Sequence, residues 1–420
     1  MLARETILNI TERYMELVSS ERFGKFTKDG FASGFVAMMP LFIYLGRALF
    51  YIHFFCLIIL MVAFFRAEIF KIKYSRFVFF VVFYFILMLV VNTLPSDFSS
   101  LNNSVKAFSV ALMTLFICLV SEYLFLHSLR RKENQEIAIR IIFISSILIS
   151  LVVVIGYFFD FNIVQSVKHL KNVKYEYWMY HSLHNFVAIG SGFVFYFALK
   201  NKNNLNFFLL FLFFIAAFFS HGRTAIIVTA FSAAVYIGLV FGVKKKKFVL
   251  LVVALLFLAA LFSVSYISSG NILAFSKINT SRRIDGGFKY VNYVLEHSPV
   301  IGLGIDGPDF LREQKVLRYG SPHNIFLDAF VVTGFVGLAI FVAFIGGISF
   351  IVYCVAATKG VDRYARALVV TVPIACWVDG QAFMSIWSKH NMMLIFFYIT
   401  LAIAIAKTSI KEAAPVKASE

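Results

Sequence analysis

Charge is scarce in this sequence. Of its 420 residues only 15% are Asp, Glu, Lys or Arg, while 60% are hydrophobic. A soluble globular domain carries about 25% charged and 45–50% apolar residues, so that class is excluded. Short alternating apolar segments are lacking too, which excludes a β-barrel; the apolar runs here are continuous. Cysteine is thin: Cys56, Cys118, Cys354 and Cys376 all lie within or at the edge of apolar runs and read as small hydrophobes in packed helices. They supply no disulfide or metal framework, and no His/Cys/Asp spacing resembles a metal site, even at His181 and His184. No apolar core follows the start, so no cleavable signal peptide is expected. No internal repeat is visible, which counts against an inverted-repeat transporter.

What is present is a succession of runs long enough to cross a bilayer, which takes about 20 apolar residues per helix. With a mean hydropathy of +0.84, the pattern predicts an all-α polytopic transmembrane bundle of about twelve spans. These are expected near 31–46, 48–65, 77–95, 106–126, 137–158, 183–199, 205–219, 223–242, 248–267, 325–354, 367–384 and 390–407. Residues 1–30 are polar, with Ile7, Ile10, Tyr14 and Leu17 on one helical face; they read as a cytoplasmic amphipathic segment at the membrane surface. Residues 31–407 form the transmembrane domain and 408–420 a cytoplasmic tail.

The net charge of +17 would suggest nucleic acid in a soluble chain. Here the basic residues cluster in short connections, as the positive-inside rule requires of cytoplasmic loops. Arg66 to Arg76, Arg130 to Arg140, Lys200 and Lys202, Lys244 to Lys247, Lys359 to Arg366 and Lys407 to Lys417, with the N-terminal segment, hold 25 of the 39 lysines and arginines. Both termini are therefore expected inside, and one large loop, 268–324, outside between spans 9 and 10. That loop exceeds the usual connection length. Phe288, Tyr290, Val291, Tyr293, Val294 and Leu295 give it a helix-like apolar face, expected to fold against the outer membrane surface.

The chemistry is expected around this loop. Arg223 opens a span at the outer side, where an unpaired guanidinium is costly and so marks a functional position. Arg282, Arg283 and Lys289 lie on the helix-like stretch of the loop. Arginine forks match phosphate oxygens bidentately and keep their charge at low dielectric, so a membrane-embedded diphosphate is the anion they fit. Pro299 to Gly304 reads as a structural turn. His323, with Asn324, sits where the loop re-enters the membrane, and histidine titrates in the range a general base needs. Gly334 and Gly337 are spaced for close helix packing behind it. Asp328 and Asp379 are intramembrane acids that would orient the imidazole, bind an acceptor, or serve as structural hydrogen-bonding partners.

His323-Asn324 followed by Gly334-x-x-Gly337 resembles the His-Asn motif of the O-antigen ligase superfamily. Ser281-Arg282-Arg283 through Pro299 to Gly304 is similar to that family's arginine, amphipathic helix and Pro/Gly segment, and Ser220 to Thr224 to its arginine-bearing span. The resemblance is detailed over about residues 205–355. It implies a metal-independent, cofactor-free, inverting glycosyltransferase of the bacterial inner membrane, acting at the periplasmic face. Its donor would be an undecaprenyl-diphosphate-linked glycan and its acceptor a hydroxyl of the lipid A–core oligosaccharide. An O-antigen or exopolysaccharide polymerase using a second lipid-linked repeat is the alternative, and a transporter of such glycans a remoter one. By position, Arg223 and Arg283 or Arg282 would hold the diphosphate, and His323 would be the base.

Overall fold

The structure, a computed structural model, describes residues 132–158, 189–201, 203–219, 223–242, 280–304, 324–380 and 389–412, with Gly307, Leu311 and scattered positions between 34 and 108. At several helix ends it describes the backbone alone. The expected amphipathic segment 1–30 and the spans at 77–95, 106–126 and 248–267 lie outside the described residues or are touched only at single positions.

Every regular element among the described residues is helical. In chain order these are α1 (Lys132–Phe158), α2 (189–201), α3 (Asn204–Phe219), α4 (Arg223–Phe241), α5 (Thr280–His297), α6 (Ile325–Ala357), α7 (Arg363–Gly380) and α8 (Lys389–Glu412). Short polar side chains start them by taking up unpaired first-turn amides. Asn203 Oδ1 accepts from Leu205 N at 3.1 Å, and Asp362 Oδ2 from Ala365 N at 3.3 Å. Glu133 in the first turn of α1 suits the positive end of the helix dipole.

Two described helices are long and apolar enough to cross a membrane, Glu133–Ile155 and Ile325–Ala357. Their outward faces remain greasy. Ile144, Leu148, Leu151 and Ile155 form an exposed stripe on α1; Phe335, Val342, Phe350 and Tyr353 are exposed on α6. A soluble surface rarely tolerates such continuous apolar patches, whereas lipid does. The described chain has the make-up of a membrane-embedded helical protein.

Inside, Phe193, Phe195, Phe213, Tyr236, Phe341, Leu368 and Tyr398 pack into one core joining helices α2, α3, α4, α6, α7 and α8. Small residues let these backbones approach. A Cβ on Gly192 of α2 would meet Val372 Cγ2 of α7 at 3.0 Å. Buried hydroxyls turn back on their own helix, as Ser146 does to Ile142 O and Ser150 to Ser146 O, both at 2.7 Å.

Polar contacts gather several helix ends together. Gln135 Nε2 of α1 donates to Thr408 Oγ1 of α8 at 2.6 Å, and Asp362 N ahead of α7 donates to Ser409 Oγ at 3.3 Å. Tyr236 Oη near the end of α4 donates to Tyr364 O at 3.1 Å. Lys200 Nζ donates to Tyr196 Oη at 2.6 Å, within electrostatic reach of Asp362 and Glu136. Thr408 and Ser409, expected to begin a tail, belong to α8, which runs on to Glu412.

The apolar face of α5 behaves differently from expectation. Tyr290 and Val294 are buried with Leu303, Leu311, Phe330 and Val331, a satellite core shared with α6. Protein, rather than the membrane surface, covers this face, because the chain after α5 folds back on α6.

Candidate active site

The end of the bundle away from Lys200 holds the first residue of α4, the last turn of α7 with Asp379, and the start of α6. Val228 of α4 packs with Ala375 and Val378 of α7, while Tyr236 reaches Tyr364. The two helices are therefore antiparallel, and that register, carried back five residues from Val228, brings the backbone of Arg223 to the C-terminal end of α7 at Gly380, within about a turn of Asp379. Asp379 is fully buried. It sits two residues beyond Trp377, which is half exposed.

The start of α6 lies at the same end, since α6 and α7 form a hairpin through the turn at 358–362. Asn324 is extended (φ −141°, ψ 128°) and is the N-cap. Its Oδ1 accepts from Phe326 N at 2.9 Å and Leu327 N at 3.2 Å. Its carbonyl accepts from Asp328 N at 2.8 Å, and Asp328 itself is buried with 1% exposure. The residue before the cap is His323, which lies outside the described residues.

Ten residues after Asn324, α6 breaks. Gly334 has φ 61° and ψ −161°, a left-handed conformation that glycine alone adopts without steric penalty. In an unbroken helix Phe335 N would donate to Val331 O and Val336 N to Val332 O. Instead Phe335 N donates to Pro299 O at 2.9 Å and Val336 N to Val300 O at 3.3 Å. The two orphaned carbonyls are taken by the same loop: Leu303 N donates to Val331 O at 2.8 Å and Gly304 N to Val332 O at 3.0 Å. The segment 299–304 has thus exchanged its own backbone groups into the helix ladder. Each backbone group left unpaired in an apolar interior would cost several kcal/mol, and all four are paired here.

The approach needs glycine on both sides. Gly302 (φ 72°) could carry a Cβ only 2.5 Å from Gly334 N and 2.6 Å from Thr333 N. A Cβ on Gly334 would fall 2.6 Å from Ile301 N and closer still to the Val300 carbonyl. The expected role of Gly334 as a helix–helix contact is corrected accordingly: its partner is a loop backbone. Gly337 does not serve that role either, since its Cβ position is filled by the Thr333 side chain of the same helix. Pro299 to Gly304, expected as a plain turn, is one half of this joint. The turn residues and Gly334 were the available signals, but nothing in their spacing reveals the exchange.

Of the other predicted positions, Arg223 is the first residue of α4, and Arg282 and Arg283 lie in the first turn of α5. Their side chains are outside the described residues. Lys289 is exposed on α5. The backbone of Arg283 is about 10 Å along α5 from buried Tyr290, at 1.5 Å per residue.

From the start of α6 an apolar groove of about 470 Å³ runs along the helix. It begins at Ile325 and Phe326, passes Phe341 and Ile348, and reaches Ala356, with Val370 and Trp377 of α7 and Ile399 of α8 along its other wall.

Fold and site together define a helical membrane protein with a capped, broken helix at one end of its bundle. Residues 208–342 match the family model described as O-Antigen ligase, so this segment of the chain is similar to the O-antigen ligase superfamily. Members of that family are glycosyltransferase-like enzymes that work on lipid-linked glycans in a membrane. No curated protein matches the chain. Arg223, Arg282, Arg283, Lys289, His323, Asn324 and Asp328 all fall inside the matched segment, and Asp379 falls outside it.

Proposed function

We propose that this protein is an O-antigen ligase of the bacterial inner membrane, moving a glycan from undecaprenyl diphosphate to a hydroxyl of the lipid A–core oligosaccharide at the periplasmic face. The observation that carries the reading is the family match over 208–342, which encloses the arginines and the histidine chosen on chemical grounds. The apolar groove beginning beside Asn324 supports a donor with a long isoprenoid tail, because it offers an almost wholly apolar bed next to the polar end. The gathering of basic helix ends around Lys200, Asp362 and Thr408 supports one common, cytoplasmic side for the basic connections.

The reaction is an inverting displacement. An acceptor hydroxyl attacks the anomeric carbon of the first sugar, the bond to the carrier diphosphate breaks, and the diphosphate departs with the electron pair. His323 takes the hydroxyl proton. Arg223 and Arg283 or Arg282 hold the departing charge, with Lys289 adding to the local field; no metal is required in this scheme. Preorganised charge stabilisation is the larger contribution, and the base adds about 10²–10⁴-fold. The placing of Asp379 towards the same end of the bundle as the backbone of Arg223 supports a role for its carboxylate as counter-charge to that guanidinium.

A transporter of the same lipid-linked glycan would use a broken helix to expose backbone groups to its cargo. The break in α6 offers none of its four freed groups, since the 299–304 loop takes them all. A ligase therefore fits better. The lipopolysaccharide profile of a strain lacking this protein tests the acceptor. Bare core with polymer held on the carrier is expected of a ligase. Core capped by single repeats identifies an O-antigen polymerase, and unchanged lipopolysaccharide with missing exopolysaccharide overturns the ligase and identifies an exopolysaccharide polymerase.

A further inference from the structure

The joint at Gly302 and Gly334 reaches beyond backbone bookkeeping. The first half of α6, Ile325–Thr333, is held at both ends by something other than itself. Asn324 closes its N-terminus, and the amides of Leu303 and Gly304 close its last carbonyls. The same loop continues directly from α5: Ser298 N donates to Val294 O at 2.8 Å, and Gly302 N to Ser298 O at 2.9 Å. Tyr290 and Val294 of α5 then share a buried cluster with Phe330 and Val331 of the half-helix.

We propose that the 299–304 loop is a positioning clasp, locking α5 and the half-helix Ile325–Thr333 into one body, so that the head of α5 keeps a fixed distance from the Asn324 cap. This rests on the glycosyl-transfer reading, in which Arg282 or Arg283 holds the donor and His323, next in the chain to the cap, is the base. Gly302 and Gly334 are positioning residues here, because they touch neither donor nor acceptor and act through the backbone they hold. A displacement of about 1 Å between reacting groups lowers turnover about 10²-fold. An interaction that matters only in the transition state lowers kcat and leaves KM alone. Loss of the clasp should show that split, whereas a purely structural loss would reduce folded protein instead.

Two variants test it, in the full chain reconstituted in nanodiscs. Gly302→Ala forces a Cβ against Gly334 N. Phe335→Pro is milder: it deletes one clasp donor at the first position of the second half-helix, where proline is well tolerated, and its side chain is exposed. Gly346→Ala is the control, since a Cβ there meets nothing within 4 Å.

Hydrogen exchange is read first, without any ligand. In the wild type the amides of Leu303, Gly304, Phe335 and Val336 should be protected and open together; independent or rapid exchange overturns the clasp. Both clasp variants should speed exchange in 299–304 and 331–336 alike. Turnover is read next, with an undecaprenyl-diphosphate-linked oligosaccharide as donor, lipid A–core as acceptor, and rates normalised to folded protein. Expected is a fall in kcat of at least tenfold for Gly302→Ala and severalfold for Phe335→Pro, with donor KM within twofold and Gly346→Ala unchanged. Freed amides with unchanged kcat in Phe335→Pro overturn the positioning role. If the wild type shows the protection but neither it nor any variant transfers glycan, the functional reading fails, and the positioning role falls with it while the joint itself stands.

Discussion

Gly302 and Gly334 meet backbone to backbone, with 2.5 Å between the place a Gly302 Cβ would occupy and the Gly334 nitrogen. Both have positive φ, so a side chain at either position meets strain and collision together. Gly346 and Gly347 lie on the same helix, and a Cβ on either has nothing within 4 Å. Gly334→Ala should therefore destabilise the protein by about 2–4 kcal/mol, from strain and broken backbone pairing. Gly346→Ala should be neutral or stabilise by up to about 1 kcal/mol. Denaturant unfolding in mixed micelles measures both, and equal effects at the two positions would contradict the assignment of the break.

Asn324 caps the half-helix through two amides. Asn324→Ala should cost about 1 kcal/mol, the usual value of such a cap, and should slow glycan transfer by loosening the turn that follows His323. Asn324→Ser, which retains an acceptor, should keep most of both. If Ser behaves like Ala, the side-chain amide of Asn324 has a different task, such as direct contact with substrate.

Arg223 and Asp379 lie towards the same end of the antiparallel pair α4 and α7. Arg223→Lys should raise the donor KM by roughly 10-fold or more, because a point charge replaces a bidentate fork. Asp379→Asn and Arg223→Gln, measured alone and together, should be strongly non-additive if the carboxylate serves the guanidinium. Additive effects on transfer would separate the two residues.

The groove along α6 lends itself to steric blocking. Ile348→Trp adds bulk to its wall and should raise the KM for a full-length isoprenoid donor several-fold, while leaving a short-chain, detergent-soluble donor analogue unaffected. Equal effects on both donors would move the tail elsewhere.

Much of the helical layout was legible in hydropathy. The runs read at 205–219, 223–242 and 325–354 fall within a few residues of α3 at Asn204–Phe219, α4 at Arg223–Phe241 and α6 at Ile325–Ala357. Continuous apolar composition and polar caps such as Asn203 and Asn324 set those limits. The apolar periodicity around Tyr290 and Val294 likewise revealed α5, but not its partner: an apolar face looks the same whether lipid or protein covers it. The break at Gly334 was hidden for a related reason. Hydropathy registers side chains, whereas the exchange involves only backbone groups of Pro299, Val300, Leu303 and Gly304, more than 25 residues away in the chain. The arginines and His323 were chosen from charge and proton chemistry, and the family match encloses them without assigning their roles.

The central claim, that this chain transfers a glycan from a lipid diphosphate with His323 as base, has one direct test. Purified protein in proteoliposomes is given an undecaprenyl-diphosphate-linked oligosaccharide and lipid A–core, and release of the carrier diphosphate and growth of the acceptor are followed together. The account predicts one diphosphate freed per glycan transferred by the wild type, and a loss of about 10²–10⁴-fold in His323→Ala with the protein still folded. Transfer at the wild-type rate by folded His323→Ala would contradict it.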